Sequence, residues 1–290
     1  MLKQIKGSSY YFDARVCIGI YIKDGKAILV DTGMDDDYAR KVCNSLQEKE
    51  IQITKIITTH AHGDHYGGNS LIKSRTGCRI YAPRMESVIM ENPILEPIYL
   101  YGADPIDELK DKFFMGKPSI PDEILGKEVD DLKIIEVPGH SMNTIAVLSP
   151  DSVLFANDSF FSEEVLSKYK VPYLFDVQKS IESLNLLFET KHEFYLVAHG
   201  GLLSKEQAKV AISKNIELIN QVADEILDFL KEKNSIEGVL TYLAKKHDMY
   251  MAVGQYFLNL SIVKAYLSYL KKQNKISCFI EDKQLYWKKI

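Results

Sequence analysis

Residues 60 to 65 read His60-Ala61-His62-Gly63-Asp64-His65. Three imidazoles and a carboxylate stand within six residues, and that donor set is the common one for zinc and related divalent ions. The chain has seven histidines in all, so three in one short segment is more than surface scatter. The segment follows Ile53-Thr54-Lys55-Ile56-Ile57-Thr58-Thr59, an apolar run that reads as a buried strand. Gly63, Gly67 and Gly68 deny it a regular continuation. His60 and His62 are two residues apart, so an extended backbone points both to one side.

Other strand ends carry matching chemistry. His140 follows Val137-Pro138-Gly139, Asp158 follows Leu154-Phe155-Ala156-Asn157, and His199 follows Leu196-Val197-Ala198. Asp31 follows Ile28-Leu29-Val30. In α/β sheets, ligand-binding and catalytic residues gather in the loops beyond strand ends. Five of the seven histidines sit at such ends. The other two, His192 and His247, fall in expected helices, where solvated positions suit them.

The elements behind these ends alternate strand and helix. Val16–Lys23 and Lys26–Val30 flank Asp24-Gly25, a strong hairpin signal. Asp36–Lys49 has helical spacing, with Tyr38, Val42 and Leu46 on one face. Asn69–Arg75 reads as a short helix and Cys78–Tyr81 as a strand. Strands follow at Leu132–Val137, Thr144–Leu148 and Ser152–Ala156, then a helix over Val177–His192 and a last strand over Glu193–Ala198. Residues 90 to 122 differ. Five prolines break long elements there, yet Ile94, Leu95, Ile98, Tyr99, Leu100, Phe113 and Phe114 are too apolar for a solvated linker. This is an insertion that packs on something: an active-site wall, a lid, a dimer surface or the core edge.

Composition limits the classes. A net charge of −4 gives no field that draws the whole molecule to nucleic acid or anionic membrane. The first twelve residues lack the apolar stretch of a secretory signal, and no run approaches a bilayer span. Cys17, Cys43, Cys78 and Cys278 are scattered, which fits reduced thiols and a cytoplasmic location.

Together, Val30-Asp31-Thr32-Gly33, His60-Ala61-His62-Gly63-Asp64-His65, Pro138-Gly139-His140, Ala156-Asn157-Asp158-Ser159 and Ala198-His199-Gly200 resemble the metallo-β-lactamase superfamily. They occur in the family's order across residues 1 to about 201. The resemblance implies an αββα sandwich with a two-metal site along one edge. It implies that His60, His62 and His140 hold one ion, and that Asp64, His65 and His199 hold the other. Asp158 would bridge them, and Asp31 would orient histidine ligands from behind. Zinc is the expected ion, with iron and manganese as alternatives. Asp64 would also orient an attacking hydroxide, so no serine or cysteine nucleophile is needed, and Ser141 is expected to bond the loop.

The family's branches differ. Asp158 and the lack of a signal segment set this chain apart from the secreted β-lactamases. His62 stands where diiron oxygen reductases carry glutamate, and the chain is too short for the large insertion of the β-CASP nucleases. The ligand set resembles glyoxalase II, lactonases and related hydrolases, and also tRNA-processing phosphodiesterases.

Beyond residue 203 the composition shifts, which places a boundary between a catalytic domain over 1–203 and a mainly helical domain over 204–290. Helices are expected at Ser204–Lys233, Ser235–Lys246 and Ala252–Gln273, then a hairpin of Ile276–Ile280 and Gln284–Lys288. This order resembles a winged-helix domain. From Gly201 onward there are 14 Lys and no Arg against 10 Asp and Glu, a balance of +4. Arginine is the commonest base-reading residue. Ala252–Gln273 is mostly apolar, which suits a core or dimer face better than a recognition helix.

The expected activity is hydrolysis of a small thioester, ester or lactone, with a homodimer open. A phosphodiester in RNA or DNA is the first alternative, and a mononuclear-iron persulfide dioxygenase the second.

Overall fold

The computed structural model describes residues 1–290. Its centre is a pair of facing sheets. The first runs β1 (Leu2–Lys6), β2 (Ser9–Phe12), β3 (Ile18–Lys23), β4 (Lys26–Val30), β5 (Gln52–Ile57), β6 (Arg79–Ala82) and β7 (Glu123–Ile124) in that spatial order. It is antiparallel up to β4 and parallel from β4 to β7. The second holds β8 (Glu128–Val129), β9 (Leu132–Glu136), β10 (Ile145–Leu148), β11 (Val153–Asn157), β12 (Phe194–Val197) and β13 (Gly201–Ser204), again neighbour by neighbour. Only β11 and β12 pair in parallel there.

Alternation along the strands builds three cores at once. In β4, Ile28 and Val30 enter the space between the sheets, while Ala27 and Leu29 pack outward under helices. In β11, Val153 and Phe155 face the other sheet, and Leu154 and Ala156 face the opposite side. Both faces are dry, which explains why these strands read as unbroken apolar runs. Gly19 in β3 is needed for this approach, because a Cβ there would lie 2.5 Å from the Phe155 ring.

Helices cover both outer faces. On the first sheet lie α1 (Asp36–Gln47), α2 (Gly63–Tyr66), α3 (Asn69–Thr76), α4 (Arg84–Glu91) and α5 (Leu95–Tyr101). The Asp35 carboxylate caps α1 by accepting from the backbone of Asp37 and Tyr38. On the second sheet lie α6 (Glu163–Lys168), α7 (Val177–Glu189), α8 (Lys205–Phe229), α9 (Ile236–His247) and α10 (Val253–Lys272), followed by the hairpin of β14 (Ile276–Glu281) and β15 (Gln284–Lys289). Ser204 starts α8 with a capping box, Gln207 reaching back to it. The architecture is the expected αββα sandwich with a helical C-terminal part ending in a hairpin.

Four local expectations need correcting. The histidine loop is not irregular throughout, since Gly63–Tyr66 closes one helical turn. The 90–122 segment contains α5 in spite of Pro97, which sits in the helix's first turn, where the missing N–H has no intrahelical partner to lose. His192 lies beyond the end of α7, not within it. His247 is buried rather than solvated, its Nε2 at 2.5 Å from Glu225 Oε2.

One apolar cluster joins the second sheet to the C-terminal part. Val137, Ala146, Leu154 and Val197 share it with Ile212, Ile226, Leu240, Leu267 and Ile276. The hairpin is tied in as well. Asn234 and Trp287 exchange backbone hydrogen bonds at 3.0 and 2.9 Å. Removing the C-terminal part would uncover the second-sheet side of this cluster, where each large aliphatic side chain contributes about 1.5–3 kcal/mol, a large share of the roughly 5–15 kcal/mol that holds a domain folded. A fragment ending at residue 203 is therefore expected to show no cooperative thermal transition, weak near-UV circular dichroism and strong binding of a hydrophobic dye. A sharp melt for that fragment would establish residues 1–203 as an independent unit.

Candidate metal centre

Five strand ends open on one edge of the sandwich. β4 ends at Asp31, β5 leads through Thr58 and Thr59 to His60, β9 leads to His140, β11 ends before Asp158 and β12 leads to His199. Backbone bonds lock these ends together. Asp31 N donates to Ile57 O at 2.9 Å, Thr32 N to His65 O at 2.8 Å, and Ile145 N to Thr59 O at 3.2 Å.

All seven side chains singled out as ligands meet there. His60, His62 and His140 bring donor atoms within 4.8 Å of one another, and so do Asp64, His65 and His199. Asp158 lies between the groups. Its Oδ2 is 3.3 Å from His65 Nε2 and 3.5 Å from both His140 Nε2 and His199 Nε2. Asp64 Oδ2 is 3.2 Å from His199 Nε2.

Asp31, His60 and His65 also fall within ligand distance of one another. The hydrogen bonds tie Asp31 to the protein framework instead. Its carboxylate accepts from Thr59 N and Thr59 Oγ1, both at 2.8 Å, from His65 Nδ1 at 2.7 Å, and from Asn157 Nδ2. It is fully buried behind the histidines at a φ of 65°, a left-handed conformation that aspartate tolerates.

These partners set the tautomers. The Asp31 carboxylate only accepts, so His65 donates from Nδ1 and turns Nε2 inward. The Thr59 hydroxyl donates to Asp31, so its oxygen accepts from His60 Nδ1 at 3.0 Å. His140 Nδ1 donates to the Tyr173 carbonyl at 3.3 Å. The inward nitrogens His60 Nε2 and His65 Nε2 are buried with no hydrogen-bond partner, and so is Asp158 Oδ1. Buried polar atoms without partners are rare in proteins, and several aimed at one place fit a bound cation.

Electrostatics separates two groups. Burial, reinforced by neighbouring imidazoles, holds His60 well below its ordinary value and His62 down at about 3. Burial lowers His140 as well. Burial also opposes charge on His199, but Asp158 and Asp64 outweigh it and lift the group to about 10. His65 rises for the same reason, with Asp31 adding to the pull. Asp64 falls to about 2, since His65 and His199 overcome the cost of its burial. One half of the site is a trio of neutral imidazoles, and the other is a mixed imidazole–carboxylate set.

Two supporting acids escape sequence reasoning. Glu86 of α4, only 1% exposed, accepts from Ala61 N at 2.9 Å, Ser141 Oγ at 2.7 Å and Asn143 N at 2.7 Å. It clamps the histidine loop to the loop carrying His140, and Ser141 is the loop-bonding residue expected of it. Glu96 of α5 is buried beside His62. Acids on amphipathic helices read as solvated charges, so nothing in the sequence marks either one. The site opens toward solvent at His199, whose side chain is 28% exposed while that of His65 is at 0%.

Asp31→Ala leaves four donors without their acceptor. Each unsatisfied buried group costs about 1–3 kcal/mol, so a loss of at least about 3 kcal/mol is expected in chemical denaturation, with metal affinity about 10–100-fold weaker.

The sequence description of the Metallo-beta-lactamase superfamily matches residues 13–199. Hydroxyacylglutathione hydrolase of Rhizobium meliloti (strain 1021) is 30% identical over 130 residues, which is 44% of this chain and 42% of that protein. The same-named enzyme of Rhizobium etli is 27% identical over 176 residues, 60% of this chain and 59% of that one. The chain thus spans less than two thirds of these curated relatives. Among solved structures, a metallo-beta-lactamase family protein from Thermus thermophilus superposes with a TM-score of 0.74 at 16% identity, covering 100% of this chain and 97% of that one. A beta-lactamase domain protein from Burkholderia ambifaria gives 0.72 at 14% identity, covering 100% and 93%. These two likenesses concern the fold, and they extend through the C-terminal helices. With the family match covering residues 13–199 and the histidine–aspartate constellation lying inside it, this chain belongs to the metallo-β-lactamase superfamily.

Proposed function

We propose that this superfamily hydrolase holds two divalent ions and cleaves a small thioester, ester or lactone. The observation that carries the two-ion reading is Asp158, whose Oδ2 lies 3.3–3.5 Å from histidines of both ligand groups. His60, His62 and His140 are assigned to one ion, and Asp64, His65 and His199 to the other, with Asp158 between them. Zinc suits the donors, as do iron and manganese. When bound, such a pair supplies Lewis acidity and makes a shared water nucleophilic near neutral pH. The protein's part is to fix the imidazole tautomers, to orient that water through Asp64, and to bury most of the cluster, leaving His199 the most open member.

Two observations support a small ester-type substrate. The relatives from both Rhizobium species carry the name hydroxyacylglutathione hydrolase, a thioester-cleaving activity. The groups acting most strongly on Asp64, Asp158 and Glu96 are histidines and other acids, not lysines or arginines. No lysine or arginine stands among them to hold the further phosphates of a nucleic-acid chain. The C-terminal helices support the same reading. α10 buries Ile262, Val263, Tyr266, Leu267 and Leu270, so its apolar face is spent on the core. We assign 204–290 as a structural and pocket-forming region, and no helix of the chain is long and apolar enough to cross a membrane.

Elemental analysis of protein purified without added metal is expected to give between one and two ions per chain. Less than one, with no activity gained on adding Zn²⁺, Mn²⁺ or Fe²⁺, overturns the proposal. Asp158→Ala is expected to cut hydrolysis of a thioester probe at least about a hundredfold, on the scale by which removing partners of a metal site costs activity.

The raised values of His65 and His199 give a pH dependence. In protein stripped of metal the facing carboxylates favour a second proton on both rings, and the ligand nitrogen must lose it when an ion binds. Zn²⁺ uptake is expected to release protons, and affinity to climb as pH rises from 7 toward about 10, where His199 deprotonates unaided. Calorimetry in buffers of different ionisation enthalpy measures the release.

A further inference from the structure

Three ligand histidines have their outward nitrogen held by the protein: His60 by Thr59 Oγ1, His65 by Asp31 and His140 by the Tyr173 carbonyl. Of the other two, His199 reaches solvent, and His62 is the more buried one without such a partner. Its Nδ1 faces the cluster, 3.0 Å from His140 Nε2, so Nε2 is the nitrogen that points away. What stands there is Glu96, with Oε1 at 3.9 Å from that Nε2.

Glu96 is itself anomalous. It is 5% exposed, and its Oε2 is buried with no hydrogen-bond partner. The charged groups nearest in effect are Asp64 and Glu86, both acidic, so no cation stabilises it. An acceptor buried this way costs free energy unless a donor reaches it. Glu96 also does not belong to any set of side chains with ligand atoms within 4.8 Å, which separates it from the direct ligands. Its place is built rather than loose. Leu100 of the same helix packs with Leu109 and Phe114, and Tyr101 meets Phe257 of α10 at 4.9 Å between ring centroids.

We propose that Glu96 is the positioning residue for His62, accepting its Nε2–H and so fixing Nδ1 as the nitrogen turned toward the metal. At 3.9 Å the pair is longer than a hydrogen bond. A small rotation of either side chain, or one bridging water, closes that gap. The inference rests on the metal-centre reading and extends it. It makes the 90–122 insertion, held in place by α10, part of the metal site rather than a detachable cover.

The test compares full-length wild type, Glu96→Gln and Glu96→Leu, each stripped and titrated with Co²⁺ against a chelator. Glu96→Leu is expected to weaken the first equivalent about 10–100-fold and to shift the visible Co²⁺ bands. Glu96→Gln keeps one acceptor oxygen and is expected to recover part of both. The melting temperature of the stripped protein is expected to hold or rise, since an unpartnered buried acid has been removed. Unchanged affinity and spectrum in Glu96→Leu overturn the proposal, as does a loss that Glu96→Gln does not reduce. Wild type that takes up no Co²⁺ overturns the metal centre itself, and the role of Glu96 with it.

Discussion

A single carboxylate organises this molecule. Asp31 sits fully buried at the end of β4 and accepts hydrogen bonds from Thr59, His65 and Asn157. Those residues come from the end of β5, the histidine loop and the end of β11, so one side chain joins both sheets at the edge where the ligands gather. Both its oxygens accept from the protein, one from Thr59 N and the other from three side chains. A carboxylate bonded in this way holds its neighbours in one arrangement, and the arrangement here is histidines with their free nitrogens turned inward. Ligand geometry and sheet packing are thus consequences of the same contact.

The contrast between the two halves of the cluster follows. At His60, His62 and His140 the cost of burial outweighs the pull of nearby carboxylates, Asp158 at His140 among them, and holds all three below the ordinary imidazole value. His65 and His199 face Asp64 and Asp158. The imidazole trio offers neutral lone pairs, whereas the mixed set brings negative charge as well. The two halves are chemically unlike, although every ligand is a histidine or an aspartate.

The parts readable from sequence were those where chemistry and periodicity coincide. The strand ends at Asp31, Asp158 and His199 each follow a run buried on both faces, and those before His60 and His140 keep enough apolar residues to read as strands, so run and reactive residue announce each other. Helical spacing gave α1, α8 and α10 to within a few residues. What escaped depends on tertiary placement. Glu86 and Glu96 look like any acids on a helix until the fold buries them beside the histidine loop. Gly63 reads as a breaker, yet it opens a helical turn against the insertion, where a Cβ would lie 2.9 Å from the Lys112 carbonyl. The apolar insertion announced that it packs on something, but only the structure shows that its partner is α10.

The cluster shared by β9–β12 and the C-terminal helices has a consequence in time. During synthesis the first sheet and its covering helices emerge early and pair largely with near neighbours in the sequence. The second sheet remains with one oily face uncovered until α8 to α10 have left the ribosome. His140, Asp158 and His199 hang from that second sheet, while His60, His62 and His65 hang from the first. The cluster is thus assembled from an early-made sheet and a later-made one, and its second part hangs from strands whose outer face stays bare until the C-terminal helices have followed.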